Sequence, residues 1–345
     1  MSNESTEPSK QAQQHKRALE FMKSVNEAEF YNELKDKYVL SQKLLELNGF
    51  PMSRTTKNGY QGVYIATEHD RRFVAPSAEL RNCLRCQKVF NVKEYSMENK
   101  EDHCVYHWGK KPAKREPKDK KKLNPQPSPY GDKYFCCGLP YESEGCSRLN
   151  YHVHNQIQRQ SLVFEFKRTP TPQGPTDERS MKVYSLDCEM VYTTGGCEIA
   201  RVVMVDWKGD LVFDRLCRPE NEIVDHNTLF SGITKEMMAG VKMSLCDVKR
   251  LMFRYVNQNT ILIGHSLEFD LRALKLVHHN IVDTSMVFHV SHRHSKHSLK
   301  ALSKMFMGIR IQENGHCPVE DSMAALHLVY VKVDFERRKR LQKKE

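Results

Sequence analysis

The apolar positions of the N-terminal third fall at helical spacing. Leu19, Met22 and Val25 follow one another at three-residue steps. Leu44, Leu45 and Leu47 then precede Asn48-Gly49, a helix stop, with Pro51 just beyond. This pattern predicts a helical N-terminal region over 15–82, after a polar, disordered tail over 1–14. Residues 52–82 mix polar and aromatic positions and show no assignable period. A cysteine-rich stretch follows over 83–154, and 155–167 (QIQRQSLVFEFKR) reads as a strand or short helix. Residues 168–180 (RTPTPQGPTDERS) hold three prolines, one glycine and no large apolar side chain, which predicts a linker.

From Met181 the pattern becomes that of a compact α/β domain. MKVYSLDCEMVY alternates apolar and polar positions as a strand does. EIARVVMVDWKGDLVFDRLC reads as two more strands around a tight turn at Lys208-Gly209. A helix is expected over 245–256, a buried strand at Ile261–Ile263, and helices near 267–275, 297–307 and 320–339. Three antiparallel strands followed by strands alternating with helices predict a ribonuclease H-like mixed sheet flanked by helices, over 181–336. The charged end, 337–345, reads as a helix end or free basic tail.

Composition adds a partner class. The 345 residues carry a formal charge of +11, which favours a polyanionic partner, nucleic acid or an acidic membrane surface, over a neutral one. There is no apolar run of the ~20 residues that a membrane helix needs, and the first twenty residues lack the apolar core of a secretory signal. An intracellular protein without a membrane partner is expected.

Six of the eleven cysteines lie between Cys83 and Cys146. In a reducing compartment, clustered Cys and His point to zinc rather than disulfides. Cys83, Cys86, Cys104, His107, Cys136, Cys137, Cys146 and His152 supply eight soft ligands, enough for about two tetrahedral Zn²⁺ sites. The CxxC and CxxH turns are each expected to present two ligands to one ion. His103 and His154 are alternates, and the division of ligands between the ions is left open. The other five cysteines read as small buried apolar residues. A basic insert, Lys110–Lys122, holds eight Lys or Arg and two acids; it reads as an RNA phosphate contact, a nuclear import signal or a merely solvated loop.

The acids carry the chemistry. Asp187 and Glu189 lie two apart on the first strand, so both side chains leave the same face. Adjacent carboxylates repel unless cations sit between them. Alone the pair is weak evidence, since such pairs are common on strand faces. Asp270, in the first turn of the helix after Gly264, would alone read as a macrodipole partner or cap. His316, in a loop five residues before Asp321, would alone read as a surface histidine. Together and in this order they form the signature of DEDDh exonucleases. Four carboxylates suit two Mg²⁺ or Mn²⁺ ions ~3.5–4 Å apart, and a histidine that titrates near neutrality can take a water's proton.

TTGGCEIARVVMVD, RPENEIVDHNTLFSGIT, ILIGHSLEFDLRALKL and IVDTSMVF closely resemble the Rex-type RNA exonucleases, the RNA exonuclease 1 family, over roughly 182–336. The order of CxxH, CC and GC-H resembles the zinc-binding CHORD module, which precedes the nuclease domain in that family. The resemblance implies a 3′→5′ exoribonuclease acting on the single-stranded 3′ ends of structured non-coding RNA, with Met190 against the terminal nucleotide. Read as import signals, Lys110–Lys122 and the ERRKRLQKK tail predict a nuclear location, and a protein partner is one use of the zinc module. Met190 reads equally well as a core strand residue, and Asp283 reads as a helix cap rather than a fifth metal ligand. The chain departs from the family text at His226, Leu229 and Cys317, and the lost cation at 229 bears on substrate preference. Two other readings compete: a catalytically idle RNA- or protein-binding adaptor, and a DNA-directed exonuclease.

Overall fold

The computed structural model describes residues 9–55, 59, 61–66, 73–93, 103–109, 133–288, 296–313 and 315–343. The basic insert Lys110–Lys122 lies outside them. The chain divides into two compact units, one of Met1–Val74 with Ile157–Glu345 and one of Ala75–Gln156.

The larger unit is built on a six-stranded mixed sheet. Its strands are β1 (Val183–Thr193), β2 (Gly196–Asp206), β3 (Leu211–Leu216), β4 (Ile223–Asp225), β5 (Ile261–Gly264) and β6 (Ile281–Asp283). The order is β3-β2-β1-β5-β6, with β4 paired to the end of β1. β1, β2 and β3 are antiparallel neighbours, while β5 runs parallel to both β1 and β6. The expected turn at Lys208-Gly209 closes the β2–β3 hairpin, with the Asp206 amide donating to the Asp210 carbonyl at 2.8 Å.

Strand alternation splits the core into two layers. Val203 and Val205 join one apolar cluster, and Val202 and Met204 the other. The first cluster is covered by three helices: α1 (Lys10–Ser24), α2 (Glu27–Lys37) and the long α6 (Pro318–Leu341). Between them in sequence come α3 (Gln42–Leu47), α4 (Leu245–Met252) and α5 (Glu268–Ala273). Ser9, Asn26 and Ser41 cap the first three helices by accepting a backbone N–H three residues on. Helix α1 begins at Lys10, so the tail expected over 1–14 already contains its first turn.

The N-terminal region is helical only to Leu47. Met52–Thr55 and Gln61–Tyr64 form a two-stranded ladder, where the sequence had no readable period. The helices are not an appendage. Phe30 stacks on the fully buried Tyr330 of α6 with ring centroids 4.2 Å apart and planes 7° from parallel. Tyr31 Oη donates to the Asn259 carbonyl at 2.7 Å, and Lys182 Nζ pairs with Glu27 at 2.7 Å. Phe30→Ala should therefore cost about 3–5 kcal/mol, the usual range for emptying a fully buried aromatic site. In a unit of this size that lowers the thermal midpoint by about 6–20 °C. A calorimetric shift below 2 °C would mean that the helices dock loosely.

Residues 168–180, expected to be a linker, are packed into the same unit. Lys167–Arg168 pairs in parallel with Leu276–Val277, and buried Thr169 meets His278 Nδ1 at 3.0 Å. Asp177 holds Arg179 through both carboxylate oxygens. Prolines lack an N–H but leave their carbonyls available, and Pro170 accepts from the Gln258 amide at 2.8 Å. Upstream, the segment that read as strand or helix is a short helix, Arg159–Phe164. The charged C-terminal run is helical through Leu341, with Arg338 paired to Asp334 at 2.5 Å and Arg340 to Glu33.

Among its described residues the smaller unit has little apolar core. Leu80–Asn82 pairs with Val89–Asn91 and Cys104–Tyr106 with Ser147–Leu149. Its main buried cluster consists of Cys83, Phe90 and Cys104.

Candidate active site and metal centres

The first two acids stand where the strand period puts them. Asp187 pairs across the ladder with Val203 and Glu189 with Arg201, and the register shifts just after Glu189. Arg201 only partly offsets the Glu189 charge, because it is held bidentately by Asp214 on β3 at 2.8 and 2.6 Å. Asp270 arrives from the β5–α5 turn. A side chain at Gly264 would place its Cβ 2.9 Å from the Leu186 carbonyl and 2.5 Å from Leu267, so only glycine lets this turn close beside Asp187. Asp283 completes the turn by accepting from the Ser266 and Leu267 amides at 3.0 and 2.9 Å, and from Ser285 N and Oγ. Its fully buried carboxylate is thus a cap for two helix starts.

Asp321 sits in the first turn of α6, two residues after the Pro318-Val319 start. Both of its oxygens accept from Gln312 Nε2 at 3.0 Å, and Oδ2 lies 3.1 Å from His316 Nδ1. Glu189, His316 and Asp321 each bring a ligand atom within 4.8 Å of the others. The His316 side chain is 40% exposed, whereas Glu189, Asp270 and Asp321 are 7%, 5% and 3% exposed.

Crowding these carboxyls together out of water opposes their ionisation. Loss of solvation, reinforced by Asp270, Asp321 and Glu189, pushes Asp187 well above the usual carboxylate range. Glu189 is pushed up to about 8 by burial and then by Asp321 and Asp270. Asp270 is pushed up to about 7, chiefly by burial, although the Cys188 thiol hydrogen-bonds to it and pulls it back. An all-oxygen set of converging carboxyls fits hard divalent cations such as Mg²⁺ or Mn²⁺, whose charge would relieve the repulsion.

Gln312 was not visible as a site residue in the sequence. It holds a positive φ of 57°, its carbonyl accepts from Lys300 Nζ at 2.8 Å, and its amide donates to Glu320 at 2.9 Å. These contacts fix the loop that leads to His316. Met190 is half-buried against the second core layer.

The soft ligands fall into two groups of four. Cys83, Cys86, Cys104 and His152 form one, and His107, Cys136, Cys137 and Cys146 the other. Cys83 and Cys104 Sγ are 3.6 Å apart, and Cys86 Sγ is 3.2 Å from His152 Nδ1. In the second group, His107 Nδ1 lies 3.5 Å from both Cys136 and Cys137 Sγ, and Cys146 Sγ is 3.5 Å from Cys136 Sγ. Zinc–sulfur bonds of ~2.3 Å in a tetrahedron imply ligand separations of ~3.8 Å, so both groups suit Zn²⁺. The hydrogen bond from Cys104 pulls the Cys83 thiol down to about 4. One expectation is corrected: the CxxH pair is split between the two groups, because Cys104 lies on a strand and His107, three residues on, turns to the opposite side. His103 and His154 belong to neither group.

Comparison with known proteins bears on this arrangement. The Exonuclease family model matches residues 185–329, which include all five candidate catalytic residues. RNA exonuclease 1 homolog of Homo sapiens is 36% identical over 311 residues, covering 89% of this chain and 24% of that protein. RNA exonuclease 3 of Eremothecium gossypii is 30% identical over 303 residues, covering 84% of this chain and 69% of that protein. The solved catalytic unit of Neurospora crassa Pan2 (protease and nuclease domain) aligns with a TM-score of 0.44 at 25% identity, over 50% of this chain and 29% of that one. This chain spans about a quarter of the human relative's length. By sequence along most of its length, and by the exonuclease match that contains its acidic cluster, the chain belongs to the RNA exonuclease 1 and RNA exonuclease 3 family of the DEDDh exonuclease superfamily.

Proposed function

We propose that this protein is a 3′→5′ exoribonuclease that trims 3′ ends of non-coding RNA by two-metal-ion hydrolysis. The observation that carries this reading is the meeting of Glu189, Asp321 and His316, with Asp270 close enough to Asp187 to raise its pKa. Asp187, Glu189, Asp270 and Asp321 would hold two Mg²⁺ or Mn²⁺ ions, which supply Lewis-acid stabilisation of the charge that develops on the phosphate and the leaving oxygen. His316 is the general base. With Nδ1 hydrogen-bonded to Asp321, the ring keeps Nε2 as the acceptor for the proton of the attacking water. The water oxygen bonds to phosphorus, the bond to the 3′ oxygen breaks, and a nucleoside 5′-monophosphate leaves. The exposed His316 edge keeps this base at the entrance, where a strand end would be seated.

RNA as substrate is inferred from family membership, because the acid cluster itself does not choose between sugars. A single-turnover assay with matched RNA and DNA oligonucleotides tests it. The expected result is stepwise shortening of RNA from the 3′ end, releasing 5′-monophosphates, and equal or faster cleavage of DNA would overturn the RNA assignment. We also propose a nuclear location, from the two basic segments, Lys110–Lys122 and the end of α6.

The smaller unit is proposed to be a zinc-organised module, whose ligand groups take the place of an apolar core. Freshly purified protein should contain about two zinc ions, at four ligands each. Cys83→Ser should release one ion and expose Ala75–Gln156 to protease while leaving Ile157–Glu345 protected. Elemental analysis that finds no zinc would overturn this reading.

A further inference from the structure

Arg272, on the same helix as Asp270, has an environment that the fold alone does not explain. It is only 6% exposed, and its Nη1 and Nη2 donors are buried with no hydrogen-bond partner among the described residues. The natural partner would be Glu268, one helical turn earlier, but Glu268 turns Oε1 to Lys296 Nζ at 2.6 Å, and its Oε2 is likewise buried with no hydrogen-bond partner among the described residues. The guanidinium instead lies against two rings. Its central carbon is 3.5 Å from the Phe73 ring centroid and 4.7 Å from that of Phe269. Those rings meet edge to face at 6.3 Å. Phe269, directly before Asp270 in the chain, is 46% exposed. Buried donors without acceptors are costly, and a pair of them in a native protein calls for a partner such as an ordered water, an ion or a ligand.

Resting on the exoribonuclease reading above, we propose that Arg272 and Phe269 form the subsite for the nucleotide next to the one at the acid cluster. Single-stranded RNA brings the two complements that this pair lacks. A phosphate oxygen pair matches the guanidinium fork, and a base offers a flat face to an exposed aromatic ring. Phe269 is the more exposed of the two rings against Arg272, and a rotamer change of a half-exposed ring is fast. An arriving base stacks on the ring as it turns outward, and the uncovered Nη1 and Nη2 take the phosphate. Arg272 thus binds substrate, and the atoms that react stay with the acids and His316.

The test reads binding of a single-stranded RNA oligonucleotide to full-length protein carrying Asp187→Asn, so that the RNA is not consumed. Adding Arg272→Met should weaken affinity about 10–100-fold, the usual loss for a charged hydrogen bond. It should also flatten the log–log salt dependence by about 0.7, one single-strand phosphate contact. Arg272→Lys should restore the slope but not the full affinity, since an ammonium cannot make the forked contact. In the otherwise wild-type enzyme, Arg272→Met should raise KM far more than it lowers kcat. Affinity within twofold and an unchanged slope would show that the guanidinium only packs. Should Arg272→Met fail to fold, Phe269→Ala decides: about 5–150-fold weaker binding is expected for the loss of one stacked base, and no change overturns the subsite. If the Asp187→Asn parent itself does not bind RNA, the exoribonuclease reading fails and this inference with it. A parent that binds, with Arg272→Met unchanged, removes the subsite alone.

Discussion

Asp187→Asn is expected to lower the hydrolytic rate by at least about 10³-fold while making the cation-free protein more stable. The kinetic part follows from removing a carboxylate from a set that would hold two cations, whose stabilisation of transition-state charge is worth several kcal/mol at tenfold per ~1.4 kcal/mol. The stability part follows from repulsion. Glu189 and Asp270 are pushed up to about 8 and about 7, from ordinary values near 4.5 and 3.8. A carboxyl whose folded pKa is raised contributes stability that is present below its unfolded value and lost as pH rises through its folded value. Without added Mg²⁺ or Mn²⁺, the thermal midpoint should therefore fall between about pH 4 and pH 8. The difference between wild type and Asp187→Asn should widen over the same window, and added Mn²⁺ should raise the wild-type midpoint most at the alkaline end. Scanning calorimetry of both proteins at pH 5 and pH 8 checks this. A variant that turns over substrate at more than a tenth of the wild-type rate would sink the assignment of Asp187 to the metals.

The second large effect is on proton transfer. His316→Ala should cost about 10²–10⁴ in kcat, the usual contribution of a positioned general base. The acidic limb of the pH–rate profile should flatten, because the group that must be deprotonated is gone. Gln312→Ala should act more weakly, about 10–100-fold, as outer hydrogen-bond partners of metal-site carboxylates do, and should leave that limb in place. It removes the donor to both Asp321 oxygens but not the base. A His316→Ala enzyme with the wild-type rate at neutral pH would require a different base.

Much of this protein is local, and what is local was legible in its sequence. Asp187 and Glu189 share a face because strands alternate, and Asp321 opens α6 because Pro318 can start a helix but not continue one. The β2–β3 turn at Gly209 and the order of strands and helices from Met181 follow from the same short-range rules. The eight soft ligands could be counted from spacing, but their division could not. Cys104 and His107 are three residues apart, and only the strand Cys104–Tyr106 sends them to different groups.

Other features depend on contacts between distant parts of the chain, which leave no period to read. Phe30 finds Tyr330 across 300 positions, so helices that looked like a separate region complete the sheet's core. The proline-rich segment at 168–180 looked like a linker because composition reports the cost of helix and strand, not the availability of carbonyls and a neighbouring edge at Leu276–Val277. Gln312 and Arg272 are polar residues in unremarkable text. Their environment is set by the neighbour each has in space, a carboxylate for Gln312 and two aromatic rings for Arg272. Short-range rules put Asp187 and Glu189 on one face of β1 and Asp321 in the first turn of α6. Tertiary structure decided what surrounds them, since burial and hydrogen-bond partners depend on the packing of elements far apart in the chain.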